Sequence, residues 1–347
     1  MNTVGKKRIS IALATYNGER YIKALLDSIN AQTVLPDEIV VSDDNSSDNT
    51  VAIIKAFAQQ VGFKVVVIEN AHNIGVFENF INAFVHCSHE FIAYCDQDDV
   101  WKENKLEACI RSFDERTSLV IHRSRVVAED LSDMGFSIPA IAKKNRWSAP
   151  VYGDLIVGHG HQMMFTKPVF DLLKLIKTYD INNTLSSFDL LIGYVAGMIG
   201  DINIINEDLM LFRRHASSTS QLGKNIEQGT ITKKLLADRA RMNDFSRYSK
   251  AILFCIASSN EISEVIVEKY LENLKDRSII YSLCSSIYTS ERYFLRIKSL
   301  AKLSYLYLMK SFKPNYPNIK LSKFLIYFTI SIFSIDRLLL ILKMIKK

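Results

Sequence analysis

Paired cysteines are missing from this chain. Its five, Cys87, Cys95, Cys109, Cys255 and Cys284, are odd in number and scattered, with no CxxC spacing and no partnering histidines. That excludes a disulfide framework and a zinc site, and it points to buried thiols in a reducing compartment. An apolar h-region is also missing: MNTVGKKRIS passes directly into the first strand, so no secretion signal is expected. There is no internal repeat and no low-complexity tract. The apolar run near the end, FLIYFTISIFSI from Phe324 to Ile335, is cut at twelve residues by Asp336 and Arg337. A spanning helix needs about 20, which argues against a clean membrane crossing.

What is present is a chain of 347 residues, 48% hydrophobic and 23% charged, enough for a real core and an appended module. Charge is unevenly spread. From Arg292 to Lys347 twelve Lys or Arg face one acid, Asp336, for a net +11, so a formal +6 overall leaves about −5 for the remainder. An acidic front of this kind makes nucleic acid an unfavourable partner.

RISIALA, Arg8 to Ala14, is a short β-branched and apolar run suited to a buried parallel strand, closed by Thr15 to Gly18. From Glu19, Tyr21, Ile22, Leu25, Leu26 and Ile29 recur at helical spacing, and Pro36 precedes a second apolar run, Glu38 to Val41. The pattern repeats through the turn chemistry of SDDNSSDNT, a helix over Val51 to Gln60, a strand over Lys64 to Ile68, a helix over Val76 to His86 and a strand over Phe91 to Cys95. Such alternation predicts an α/β fold with a mostly parallel, Rossmann-like sheet whose functional groups lie at the carboxyl ends of its strands. After Trp101 the rhythm loosens: a helix over Glu103 to Phe113, a strand over Leu119 to His122, loop and strand over Gly153 to Phe165, a helix over Ser187 to Met198. Helical periodicity is continuous from about Thr230, broken only around Pro314 to Pro317. The expected organisation is a catalytic domain over residues 1–225 and a basic helical C-terminal module over 226–347.

Two carboxylate clusters stand at strand ends: Asp43 and Asp44 after EIVV, and Asp96, Asp98 and Asp99 after FIAYC. Like charges a few ångströms apart in a reduced dielectric repel by several kcal/mol, so a cation belongs among them. A hard divalent ion sharing a diphosphate with the protein satisfies that requirement. Asp48 is better read as a turn and helix-cap residue.

ISIALATYNGERYIKALLDSINAQT, DEIVVSDDNSSDNT, NIGVFENFINAF and FIAYCDQDDVWKENKLE follow one another in this order. Together they resemble the nucleotide-sugar domain of glycosyltransferase family 2, inverting enzymes with the GT-A fold, closely over Arg8 to Glu107 and more loosely to about Ser220. The resemblance implies that Ala14, Thr15 and Tyr16 line the nucleobase pocket and that Asp44 accepts a hydrogen bond from the base. Asp98 and Asp99 correspond to the DXD-type motif, Asp98 near ribose or metal and Asp99 as direct ligand of Mn2+ or Mg2+, with Asp96 an extra acid. Asp189, in SSFDLLIGYVAGMIGD, corresponds to the general base. Arg213, Arg214 and His215, expected in a Ser-rich loop, would close over the diphosphate, with His215 completing the metal shell. Trp101 is expected either to contact the sugar or nucleotide or to anchor the following helix. In GHGHQMMF the glycines suit close approach of a ligand to backbone. His159 and His161 have no carboxylate at metal spacing in the sequence, so acceptor or sugar contact is expected there in preference to metal binding, beside a purely structural role, and acceptor contact is expected for Asp96 as for His161.

The implied activity is transfer of a sugar from a UDP- or dTDP-linked donor to a lipid-linked oligosaccharide in O-antigen, capsule or other polysaccharide synthesis. The basic, apolar tail suits a peripheral position at the cytoplasmic membrane surface, or a helical bundle or homo-oligomer contact. Two other classes are weighed: a catalytically silent sugar-binding scaffold, and a metal-dependent nucleotidyltransferase, whose glycine-rich phosphate loop with a lysine is absent from TYNGERY.

Overall fold

The computed structural model describes residues 7–138, 146–147, 158–178 and 188–216. The C-terminal module expected over 226–347, with its basic tail, lies outside the described residues. No described helix is long and apolar enough to cross a membrane.

The first half runs β1 (Ile9–Thr15), α1 (Glu19–Asn30), β2 (Glu38–Asp43), α2 (Thr50–Ala58), β3 (Lys64–Glu69), α3 (Val76–Val85) and β4 (Phe91–Asp96). These elements lie where hydrophobic periodicity places them. All seven residues of β1 are buried, as a central parallel strand covered on both faces requires. On α1 the buried residues are Tyr21, Ile22, Leu25, Leu26 and Ile29, one stripe at helical spacing. Those aliphatic side chains share a core with Ile9, Ile11 and Leu13 of β1 and Ile39 and Val41 of β2, each burial contributing about 1.5–3 kcal/mol. The opposite face carries aromatics: Phe84 of α3 lies 5.6 Å from Tyr94 of β4 and 5.5 Å from Phe165.

The second half comprises β5 (Val100–Trp101), α4 (Lys105–Arg111), β6 (Thr117–Val127), β7 (Asp133–Ile138), β8 (Arg146–Trp147), a 3-10 turn (Gly160–Gln162), β9 (Met163–Thr166), α5 (Lys167–Thr178), α6 (Phe188–Ile199) and β10 (Asp201–Arg213). Among the described residues the strands form one sheet in the order β3-β2-β1-β4-β9-β6-β10-β5, with β7 on β6 and β8 on β10. Pairing is parallel from β3 through β4 and between β6 and β10, while β9 runs antiparallel to both β4 and β6.

Two sequence expectations change. The strand at Leu119 to His122 extends to eleven residues. The Arg213 region expected in a loop ends a thirteen-residue strand, β10. Shifts in the pairing of β10 with β6 between Asp201 and Ile202, Ile205 and Asp208, and Asp208 and Leu211 break its alternation and hide it from a period-two reading.

Candidate active site

The carboxyl ends of β1 and β2 are locked together by their loops. Asn17, held at φ 45°, accepts from Ser47 N through Oδ1 at 2.9 Å, and its own N–H donates to Ser46 Oγ at 2.8 Å. Asp48 accepts from Glu19 N, the first amide of α1, and from Thr50 N. It therefore caps two helix starts that lack a cap from their own N-cap side chains. Asp43 is consumed by Thr15 Oγ1 and Ser46.

Asp44, almost fully buried, accepts from Ile74 N at 2.7 Å, Gly75 N at 3.0 Å and Asn70 Nδ2 at 3.4 Å. Gly75 needs its φ of 89°, where glycine has no steric cost. An asparagine network supports this corner: Asn79 donates to Thr15 O, Asn70 to Asn79, and Asn82 to Asn70 and Ser42. With two oxygens offering about four acceptor sites, Asp44 retains one. Thr15 is buried and Ala14 nearly so, while Tyr16 stays 48% exposed.

The second cluster lies past the end of β4. Asp98 Oδ2 is 2.8 Å from His215 Nε2, and His161 Nδ1 is 3.4 Å from Asp96 Oδ2 and 4.0 Å from Asp99 Oδ2. Asp96, Asp99 and His161 offer ligand atoms all within 4.8 Å of one another. Asp99 is fully buried; it accepts Arg213 N on Oδ1 at 3.1 Å, and its Oδ2 has no hydrogen-bond partner. Burial, then Asp98 and Asp96, push its carboxyl well above the usual range. Burial also lifts Asp96, to about 6, and Asp98, whose bond from His215 opposes the rise. His161 is pulled down to about 3 by burial and by Lys105, so its ring is neutral at physiological pH.

Lys105 is a resident cation beside these acids. It is buried at the start of α4, donates to His161 O at 3.0 Å and lies 3.7 Å over the Trp101 ring. Burial draws it down to about 8 against the pull of Asp99 and Asp96. Asp189 opens α6, receives the Gly160 N–H, and is raised to about 6 by burial and then by Asp96.

Several expectations are corrected by this geometry. His161 does not stand apart from carboxylates; β9 pairs with β4 and carries the preceding turn onto Asp96 and Asp99. Gly158 and Gly160 approach protein: a Cβ would lie 2.8 Å from Ile121 at the first and 2.5 Å from the Tyr94 ring at the second. Trp101 is buried in the core. Arg213 is buried as well, its guanidinium donating to Asp98 O at 2.8 Å and Glu129 O at 2.7 Å. Arg214 and His215 follow the strand end, with Arg214 over the Phe212 ring.

Sequence reading missed Lys105, the asparagine network and the Tyr21–Glu129 pair, whose hydroxyl-to-carboxylate bond of 2.6 Å sets the Tyr21 ring 4.5 Å from His215. One signal for Lys105 was legible: a lysine in the first turn opposes the helix dipole, and it shares a helical face with Leu106 and Cys109.

The mostly parallel α/β sheet, with aspartates gathered at its carboxyl edge, is a GT-A-like fold. Residues 10–173 match the model of glycosyl transferase family 2. An uncharacterized protein of Mycobacterium tuberculosis is 28% identical over 218 residues, 60% of this chain and 59% of the relative, so the chain spans less than two thirds of that protein. The UDP-Glc:alpha-D-GlcNAc-diphosphoundecaprenol beta-1,3-glucosyltransferase WfgD of Escherichia coli is 35% identical over 99 residues, 28% of this chain and 38% of WfgD. The structure of S. aureus TarS 1–349 in complex with UDP is similar in fold, with TM-score 0.51 and 18% identity over 85% of this chain and 84% of that one.

Proposed function

We propose that the chain transfers a sugar, with inversion, from a UDP- or dTDP-linked donor to a lipid-linked oligosaccharide at the cytoplasmic membrane surface, in assembly of O-antigen, capsule or a related polysaccharide. The observation that carries this reading is the gathering of Asp96, Asp98, Asp99, His161 and His215 at one sheet edge, with Asp189 raised to about 6 beside them. The name of WfgD, a glucosyltransferase acting on a diphosphoundecaprenol-linked sugar, supports the donor and acceptor classes.

The donor set suits a hard divalent cation. Carboxylate oxygens predominate, the neighbouring His161 is neutral, and the orphaned Asp99 Oδ2 is buried without a partner. Asp96, Asp99 and His161, whose ligand atoms lie within 4.8 Å of one another, would hold Mn2+ or Mg2+, with Asp98 and its partner His215 next to them. When bound, the ion neutralises charge developing on the departing diphosphate.

The remaining work falls to the chain. The exposed Tyr16 ring offers a stacking face to the base, and the spare acceptor site of Asp44 offers it a hydrogen bond. Arg214, which feels the field of Asp98 and Asp99, sets positive charge near the phosphates. The Asp189 carboxylate takes the acceptor hydroxyl proton as that oxygen attacks the anomeric carbon. The bond from carbon to the diphosphate oxygen breaks, and its electron pair leaves on the nucleotide.

Thermal stabilisation by a panel of UDP- and dTDP-sugars, with and without Mn2+, followed by metal-dependent donor hydrolysis, tests the reading. Stabilisation and hydrolysis by one donor are expected; binding without any turnover would favour the silent scaffold, and no nucleotide binding would overturn the reading. Truncation before Arg292 is expected to release the protein from membranes, and unchanged fractionation would remove the membrane element of the proposal.

A further inference from the structure

Gln97 sits among the acids of the loop after β4, yet its amide is spent on another loop. Tyr16 N donates to Gln97 Oε1 at 2.9 Å, and Gln97 Nε2 donates to Tyr16 O at 3.0 Å. Both backbone groups of one residue are read by one side chain, as a neighbouring strand would read them. Gly18 lies under the same amide. Its backbone, at φ −104° and ψ 10°, is open to any residue, but a Cβ there would stand 2.3 Å from Gln97 Oε1 and 2.7 Å from Gln97 Cδ. Glycine at position 18 is thus required by the Gln97 amide and not by its own torsion angles. Two residues far apart in sequence form one device.

We infer that Gln97 is a positioning residue that fixes the nucleobase rim against the acid cluster. It pins the Tyr16 backbone, and with it the exposed ring, at a set distance from Asp96 and Asp98, its neighbours on either side. The base and the diphosphate of one ligand are joined through the ribose, so the two halves of the site must keep one spacing to engage both ends together. The inference deepens the proposed function and rests on Tyr16 belonging to the base pocket.

The test compares wild type with Gln97→Ala, Gly18→Ala and the double variant, by calorimetric titration of UDP and, separately, inorganic diphosphate, each with Mn2+. Gln97→Ala is expected to weaken UDP about tenfold, the loss of roughly one or two hydrogen bonds, and to leave inorganic diphosphate within twofold. A general structural defect would weaken both. Alanine at 18 pushes the flexible amide off Tyr16, so Gly18→Ala should give a similar loss for UDP. In the Gln97→Ala background it should add nothing, the non-additivity of a shared element. Gln97→Glu keeps the acceptor for Tyr16 N but sets a carboxylate against Tyr16 O, and it should fall in the same direction as Gln97→Ala. UDP binding by Gln97→Ala as tight as wild type, or a full additional loss from Gly18→Ala in the double variant, would overturn the inference and leave the sugar-transfer reading standing. A wild-type protein that binds neither UDP nor dTDP overturns both.

Discussion

Two fully buried carboxylates stand at opposite ends of the same parallel strands. Glu38 opens β2 at the amino edge of the sheet, and Asp99 follows β4 at the carboxyl edge. Glu38 accepts from Ser10 Oγ at 2.7 Å and from Ser88 N at 2.6 Å and Ser88 Oγ at 2.8 Å. Burial alone would raise its carboxyl, but those bonds outweigh burial and hold it down to about 2. Asp99 receives one backbone N–H, keeps one oxygen without a partner and is driven well above the carboxylate range. The residues have the same chemistry and burial but opposite shifts. A buried carboxylate whose hydrogen bonds are complete is part of the framework, whereas one left incomplete among like charges marks a place for a ligand.

The contrast can be tested first at Asp99. Asp99→Asn should reduce metal-dependent donor turnover by a thousandfold or more, on the order expected when a principal electrostatic element is lost. The same change should stabilise the metal-free protein, because it removes a charge whose burial is unfavourable. The sign follows from the raised folded-state value: the ionised group opposes folding at neutral pH and is neutral in both states below about pH 4. The difference in urea midpoint between variant and wild type should therefore grow as pH rises from about 4 to 7.5. A variant less stable than wild type at pH 7.5 would break the comparison. Asp189→Asn comes next, with turnover lowered on the order of a hundredfold or more and nucleotide affinity retained. In wild type kcat/KM should fall as pH drops through about 6, the value to which burial raises Asp189, because the base must be ionised to accept a proton. A flat profile between pH 5 and 7 would remove Asp189 from that role.

The difference between the two edges also explains what could be read from sequence. From β1 to β4 each strand is a run buried on both faces and each helix carries one stripe, so local pattern and final fold agree. The acids at strand ends were legible for the same reason. Their partners were not. His161 reaches Asp96 only because β9 inserts antiparallel between β4 and β6, with Ala93 opposite Met164 and Val120 opposite that same methionine. Arg213 and His215 reach Asp98 only because β10 pairs with β6 across a long sequence separation and through three register shifts. Such pairings depend on tertiary contacts that no window of 11–18 residues contains.

Lys105 supplies a smaller effect on activity that sharpens the contrast from the cation's side. Lys105→Met keeps an unbranched apolar side chain but removes the ammonium over the Trp101 ring, the charge near Asp96 and Asp99 and the bond to His161 O. Breaking a buried charge cluster in this way costs about 3 kcal/mol, and the loosened turn should lower turnover roughly tenfold, about the effect of 1.4 kcal/mol on a barrier. Unchanged stability in urea would show that the acids need no resident cation.

Glu38→Gln should have the least effect on turnover. Its folded-state value of about 2 against an ordinary value of about 4.3 corresponds to about 3 kcal/mol of stability at neutral pH. With the folded value depressed, that contribution is complete above the unfolded-state value and is lost as pH falls towards about 2. The gap in urea midpoint between wild type and Glu38→Gln should accordingly stay constant from pH 7 to 5.5 and close below about 4.5. Turnover at a temperature where both proteins are folded should match, since Ser10, Ser88 and Glu38 form their bonds at the edge of the sheet away from Asp98 and His215. A parallel loss of turnover and stability would mean that the amino edge sets the geometry of the carboxyl edge, and the division between framework and ligand carboxylates would not hold.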